Sequence, residues 1–178
     1  MAGGAARAVF EGQELRAPSD VDYFSPCLEA ANLVTSVAKR FTTVKKDETG
    51  NNKTITLLAE FKTPWQIQKP VPFKFQIIRS GYYENIGELF RSFDFTICQF
   101  ATDGHHVIYT EQAERDLASK TLSYEPDYPI GHSRVERLLK YVNRGFTPAP
   151  GVLSKSLTEP RGGEASLTNG RIFVSHGY

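Results

Sequence analysis

The stretch SDVDYFSPCLEAANLVTSVAKR (residues 19–40) joins a strand pattern to a helix pattern and decides the class of fold. Residues 20–24 alternate in character and include Val, Tyr and Phe, which predicts a short strand. Ser25 is a good helix N-cap, and Pro26 suits the first helical position because its missing N–H costs nothing there. Apolar residues then recur at helical spacing, which predicts a helix that ends near Arg40.

Further strand and helix patterns follow downstream. We predict strands over residues 54–61, 73–78, 96–102 and 107–110. We predict helices over residues 5–12, 84–90, 112–121 and 134–144. This order favours an α+β fold, with a small mixed or antiparallel β-sheet flanked by helices, a C-terminal basic helix and a tail. We expect residues 1–150 to form the domain and residues 151–178 a tail or arm.

Composition narrows the class of protein. The 178 residues are 40% apolar and carry a net charge of +1, which is typical of a folded domain with its own core. A net charge so close to zero does not indicate nucleic acid or a membrane surface as a partner. No apolar run approaches the roughly 20 residues of a spanning helix. Two cysteines, Cys27 and Cys98, and the absence of a secretory signal pattern favour a cytoplasmic protein without a membrane partner.

Asp20 and Asp22 are the first candidates for chemistry. On a strand, residues i and i+2 project to the same face, roughly 7 Å apart at Cα. Two carboxylates that close repel each other unless a cation lies between them, and Mg²⁺ commonly takes one or two carboxylates plus substrate phosphates. The pair therefore predicts a site for Mg²⁺ or Mn²⁺ that handles a nucleoside triphosphate. The alternative interpretation is that the two aspartates belong to a polar edge strand or a turn and bind no metal.

Gly3 and Gly4 precede this pair and open the predicted helix over residues 5–12. Backbone N–H groups in a glycine turn at a helix N-terminus can approach phosphate closely, and the helix dipole favours anions there. The two glycines are therefore candidates for binding the triphosphate. An unstructured N-terminal segment is the alternative interpretation.

Three segments together resemble the head domain of the tRNA nucleotidyltransferase and poly(A) polymerase family, in the nucleotidyltransferase superfamily with the polymerase-beta-like fold. Residues 3–12 followed by 19–22 are similar to the family's Gly-Gly-x-x-Arg-Asp and Asp-x-Asp motifs. Residues 93–101 are similar to its Arg-Arg-Asp-Phe-Thr-Ile-Asn-Ala-Leu segment. Residues 134–146 resemble its basic helix ending in Gly-Phe. The segments occur in the family's order.

The resemblance implies a metal-dependent nucleotidyltransferase, an enzyme that moves a nucleoside monophosphate from an NTP to a hydroxyl acceptor and releases pyrophosphate. The acceptor could be RNA, a protein side chain or a small molecule. The implied catalytic acids are Asp20, Asp22 and Asp94, of which Asp20 and Asp22 would bind the metal. The implied nucleotide-binding residues are Gly3, Gly4, Arg7, Ser19, Arg79 and Arg137.

Departures from the family pattern favour an alternative function. Ala8 stands where the family has an acid, Ser92-Phe93 replaces its Arg-Arg, and Lys74 occupies a strand position where it carries an acid. The lost Arg-Arg and Lys74 favour a degenerate nucleotidyltransferase-like module that binds nucleotide or a protein partner without catalysis. A third interpretation is an α/β interaction protein in which the Asp-x-Asp is incidental.

Overall fold

A computed structural model describes the chain over residues 1–13, 20–41, 54–59, 73–125, 134–154 and 172–176. The chain divides into two compact units, Met1–Ile86 and Gly87–Tyr178. Among the helices in these described ranges, none combines the length and apolar character needed to cross a membrane.

The described residues of unit 1 form two helices and a three-stranded sheet. In chain order its elements are α1 (Gly4–Phe10), β1 (Asp20–Tyr23), α2 (Leu28–Phe41), β2 (Thr54–Ala59) and β3 (Phe73–Ile78). The strand order is β1-β3-β2, with β1 parallel to β3 and β2 antiparallel to it. A sheet with both kinds of pairing agrees with the predicted mixed sheet.

The core of unit 1 lies between α2 and one face of this sheet. Its buried centre consists of Ala31 from α2, Ile55 and Leu57 from β2, and Ile77 from β3. Because side chains alternate along a strand, these apolar positions leave the residues between them for the opposite face. The partly buried residues packed around the centre are Tyr23, Val34, Ala38 and Phe75.

In unit 2, the part of the chain that the structure describes consists of short strands and three helices. Its elements are α3 (Ile86–Arg91), a one-turn 3-10 helix (Thr96–Cys98), β4 (Phe100–Thr102), β5 (His106–Thr110), α4 (Glu111–Ser119), β6 (Thr121–Leu122), α5 (Arg134–Val142), β7 (Thr147–Pro148) and β8 (Ile172–His176). The order β4-β5-β8 is antiparallel throughout, and β6 pairs with β7 in parallel.

An aromatic cluster joins α5 to the rest of unit 2. The buried ring of Phe95 stacks on Tyr124, with ring centroids 4.8 Å apart, and meets Tyr141 edge-on at 5.4 Å. Tyr141 in turn meets Phe146 edge-on at 6.1 Å. Edge-on and offset contacts of this kind are the favoured geometries of aromatic pairs, so the cluster anchors one face of α5.

The predicted α+β class is confirmed, whereas several predicted bounds differ from the structure, and two of the differences concern where an element begins. Residues 96–98 form a 3-10 turn rather than the start of a strand, because the N–H groups of Cys98 and Gln99 donate back to the carbonyls of Phe95 and Thr96. Helix α2 begins at Leu28 rather than at Pro26, and its first turn is closed by Ala31 N–H donating to Cys27 at 3.1 Å. Residues 60–61 of the second predicted strand lie outside the described residues.

Replacing Leu57 by Ala tests the core of unit 1. Leu57 is fully buried beneath α2. The variant should lose about 2–5 kcal/mol of unfolding free energy, since truncation removes buried methyl groups and leaves a cavity. Urea denaturation followed by circular dichroism measures the loss. The control is Leu139→Ala at an exposed position of α5, which should change stability by no more than about 0.5 kcal/mol.

Candidate functional site

Asp20 and Asp22 lie on the sheet face opposite α2. Val21, between them, is buried, and Tyr23 packs toward the core, so the alternation of β1 sends both carboxylates to the other side. The shared face that the spacing predicts is therefore present. Both side chains keep contact with solvent, with Asp20 the more exposed of the two.

The parallel register of β1 and β3 brings two further polar residues to this face. Lys74 lies opposite Asp20, and Gln76 lies opposite Asp22. The ammonium of Lys74 is 3.5 Å from Oδ1 of Asp20. With its amide oriented to satisfy both neighbours, Gln76 donates to Oδ1 of Asp22 at 2.9 Å and accepts from Nζ of Lys74 at 3.2 Å. We call these four residues the acidic face.

Electrostatically, the acidic face combines two carboxylates with one ammonium. The side chains of Lys74 and Asp20 are 36% and 50% exposed, so their ion pair contributes little to stability. Its groups can therefore exchange partners at low cost. Among these four side chains, two negative charges stand against one positive charge, and this balance favours a basic or hydrogen-bond-donating group from a ligand.

The N-terminal turn is attached to the same strand. Ala2 N–H donates to the carbonyl of Asp22 at 3.0 Å, and Gly3 takes a positive φ of 78° as the N-cap of α1. The left-handed conformation explains the glycine, because other residues adopt it at a cost. Gly4 is the first residue of α1, and Arg7 forms an ion pair with Glu11 one turn later, 3.5 Å from Nε to Oε2.

Asp94 is almost completely buried in unit 2, where Arg137 of α5 holds it. The guanidinium donates from Nε to Oδ2 at 2.5 Å and from Nη2 to Oδ1 at 3.0 Å. The backbone N–H of Phe95 also donates to Oδ1 at 3.0 Å. The carboxylate predicted as a third catalytic acid is thus engaged by a residue predicted to bind nucleotide.

The charge state of Arg137 follows from this pairing. Partial burial lowers the pKa of the guanidinium, but the hydrogen bonds and the negative charge of Asp94 outweigh that effect and raise the pKa above its ordinary value. The pairing thus reinforces a positive charge that arginine carries at every physiological pH. Its bidentate geometry is the strong form of an arginine–carboxylate pair.

A buried polar network in unit 2 was missed by the sequence analysis. The side-chain amide of Gln99 donates to the Phe90 carbonyl at 3.1 Å and to the Glu125 carboxylate, and its oxygen accepts from Thr110 at 2.8 Å. The available signal was a glutamine inside the apolar run of residues 95–101, since a buried polar group requires partners. The network links α3, the 3-10 turn and the start of α4.

Asp103 organises the turn between β4 and β5. Its carboxylate accepts from the backbone N–H groups of His105 and His106, each at 2.8 Å, and lies 3.2 Å from Nδ1 of His106. The backbone hydrogen bond from His106, followed by that from His105, holds the pKa of this carboxyl well below its usual range. The pair of histidines is thereby explained as part of a turn.

The remaining predicted site residues have simpler positions. Ser19 lies outside the described residues, and Arg79 is a partly buried residue directly after β3. Within the part of the chain that is described, no three His, Cys, Asp or Glu side chains are grouped so that they could hold a metal ion. Magnesium or manganese as a cofactor stays a prediction.

Comparison with known proteins identifies a family. The sequence model of the Gabija anti-defense 2 family, Gad2, matches residues 1–120, about two thirds of the chain. The chain belongs to the Gad2 family. No curated protein and no solved structure matches it. The matched part of this Gad2 protein includes all of unit 1, with the acidic face, and unit 2 as far as α4.

The Gad2 assignment corrects the functional interpretation of the sequence. The matching model describes an anti-defense family, so the recognition as a tRNA nucleotidyltransferase or poly(A) polymerase relative is wrong. The main function derived from it, nucleotidyl transfer from an NTP, is wrong for the same reason. Descriptions of the chain as ATP-binding, RNA-related or metal-binding lose their support with it.

Breaking the Asp94–Arg137 pair should destabilise unit 2. Arg137→Met leaves a buried carboxylate without its cation, which should cost about 3 kcal/mol of unfolding free energy, the lower part of the range for buried pairs. Adding Asp94→Asn should recover part of that loss, and urea denaturation followed by circular dichroism measures both. Lys140→Met, at an exposed position of α5, is the control. Additive effects of the two substitutions would contradict a coupled pair.

The Asp103 turn should resist acid. A carboxyl with a lowered folded-state pKa contributes stability above its unfolded pKa, about 3.9, and loses it as the pH falls through the lower folded value. The side-chain carboxyl carbon NMR signal of Asp103 should therefore keep its ionised position at pH 4 and move only below the usual Asp range. Asp103→Asn is the control without this titration. Movement centred near pH 4 would contradict the prediction.

Proposed function

We propose that this Gad2 protein counteracts Gabija defence by binding a protein component of that system, without catalysing a reaction on it. The observation that carries the proposal is the match of the anti-defense family model to residues 1–120. The proposal agrees with one part of the alternative function given in the sequence analysis, which is a module that binds a protein partner without catalysis.

The acidic face is the surface that we assign to this binding. It lies entirely inside the matched range, on a sheet face that α2 does not cover. Asp20 and Asp22 project beside each other there, and a basic group of a partner can displace Lys74 from the half-exposed Asp20. Opposite charges across an interface speed association and exclude wrong partners.

Lys74 also supports binding over metal-dependent catalysis. Its ammonium lies 3.5 Å from Asp20 and within hydrogen-bonding distance of Gln76, which itself bonds Asp22. A positive charge at this position repels a divalent cation that would bind the same carboxylates. A neutral hydrogen-bond donor of a protein partner does not meet this repulsion.

Co-purification tests the proposal. The chain is expressed with each protein component of the Gabija system in turn, and the tagged component is purified. One component should retain the chain, and expression of the chain should restore phage plating on cells that carry Gabija. Restored plating without retention by any component would overturn binding as the mechanism.

Charge reversal tests the surface. Asp20→Lys combined with Asp22→Lys should weaken retention at least tenfold, about 1.4 kcal/mol, because like charges then meet across the interface. Glu136→Lys, an exposed acid of α5 outside the matched range, should leave retention unchanged. Circular dichroism checks that both variants fold. Equal retention of the acidic-face variant and the wild type would exclude this surface.

A further inference from the structure

Helix α2 presents apolar side chains on the side that faces away from the sheet. Leu33 is 66% exposed and Val37 is 44% exposed, and they lie one turn apart. Ala31 and Ala38, on the opposite side of the helix, belong to the core. Leu33 is the most exposed large apolar side chain in the described part of the protein. Burial of these residues against another surface would be favourable.

Charged residues frame this apolar pair along the same side of α2. Glu29 lies four residues before Leu33, and Arg40 lies three residues after Val37, and both are exposed. We call these four residues the α2 stripe. Its order is acid, apolar, apolar, base. Hydrogen bonds from its own backbone N–H and from Cys27 lower the pKa of Glu29, so the acid is ionised at neutral pH.

The α2 stripe is complementary to its own reversed copy. When two such helices run antiparallel with a two-fold axis level with Thr35, Leu33 of one copy meets Val37 of the other. In the same register Glu29 comes within one residue of Arg40 of the other copy, twice by symmetry. A two-fold interface requires this property, since one surface patch must fit itself. A surface shaped for an unrelated partner has no such requirement.

We propose that α2 forms an antiparallel contact with α2 of a second copy of this chain, through Glu29, Leu33, Val37 and Arg40. A single helix pair buries less than the roughly 1,600 Å² of a typical stable complex. The dimer is therefore weak and depends on concentration. The contact uses the side of α2 away from the sheet, so it leaves the acidic face open. It stands independently of the proposed function.

Sedimentation equilibrium of the full chain, from low to high micromolar concentration, tests the contact. The wild type should move from the monomer mass of 19.9 kDa toward twice that mass. Glu29→Arg and Arg40→Glu should each stay monomeric, because each places like charges opposite one another. Mixing the two variants in equal amounts should restore the dimer, because opposite charges then meet at both ends of the helix pair.

Controls make the outcome specific to α2. Leu33→Glu should abolish the dimer, whereas Leu139→Glu, at a residue of α5 that is 53% exposed, should leave it intact. Glu29 lies in the first turn of α2 and Arg40 in the last, where each charge interacts favourably with the helix dipole. Because reversing either charge weakens the helix itself, circular dichroism verifies that every variant is folded. A monomeric wild type, a mixture that fails to dimerise, or loss of the dimer in Leu139→Glu would overturn the proposal.

Discussion

The parallel pairing of β1 with β3 is the constraint on which unit 1 depends. In this register Val21 lies beside Phe75, and Tyr23 lies beside Ile77, so one face of both strands is apolar and receives α2. The same register sets Asp20 beside Lys74 on the other face. A slip of one residue would exchange the two faces and place carboxylates under the helix. The cost of burying those charges specifies the register, and with it both the core and the acidic face.

Unit 2 differs from unit 1 because it buries a charged side chain in its interior. Asp94 is 3% exposed, and α5 supplies the guanidinium that makes this burial tolerable. Phe95, the residue after Asp94, packs on Tyr124 and on Tyr141, which lies one turn after Arg137 on α5. The ion pair and the aromatic cluster therefore hold the same helix. The ion pair does so through directional, charged hydrogen bonds, and the cluster does so through packed aromatic surface. Their combination gives α5 a single position within the unit.

The sequence predicted the features that depend on neighbouring residues, and it did not predict contacts between residues far apart in the chain. Alternation within β1 predicted that Asp20 and Asp22 share a face, because that pattern is local. The neighbour that matters chemically, Lys74, comes from a strand about fifty residues later, and only the strand register brings it to Asp20. Asp94 and Arg137 were both singled out, but their mutual bond was not foreseen because it joins segments 43 residues apart. The family was misassigned because short motifs of common residues resembled another family in order.

The pairing of β8 with β5 has a consequence for how the chain is made. Residues 172–176 bond to residues 106–110, so the three-stranded antiparallel sheet of unit 2 joins segments more than sixty residues apart. During synthesis on the ribosome, β5 stays an open strand edge until the chain has grown as far as His176. Open edges invite pairing with other chains, and long-range pairing is slow to form. The interval between translation of β5 and translation of β8 is therefore a period in which this edge of the nascent chain can pair with the wrong strand.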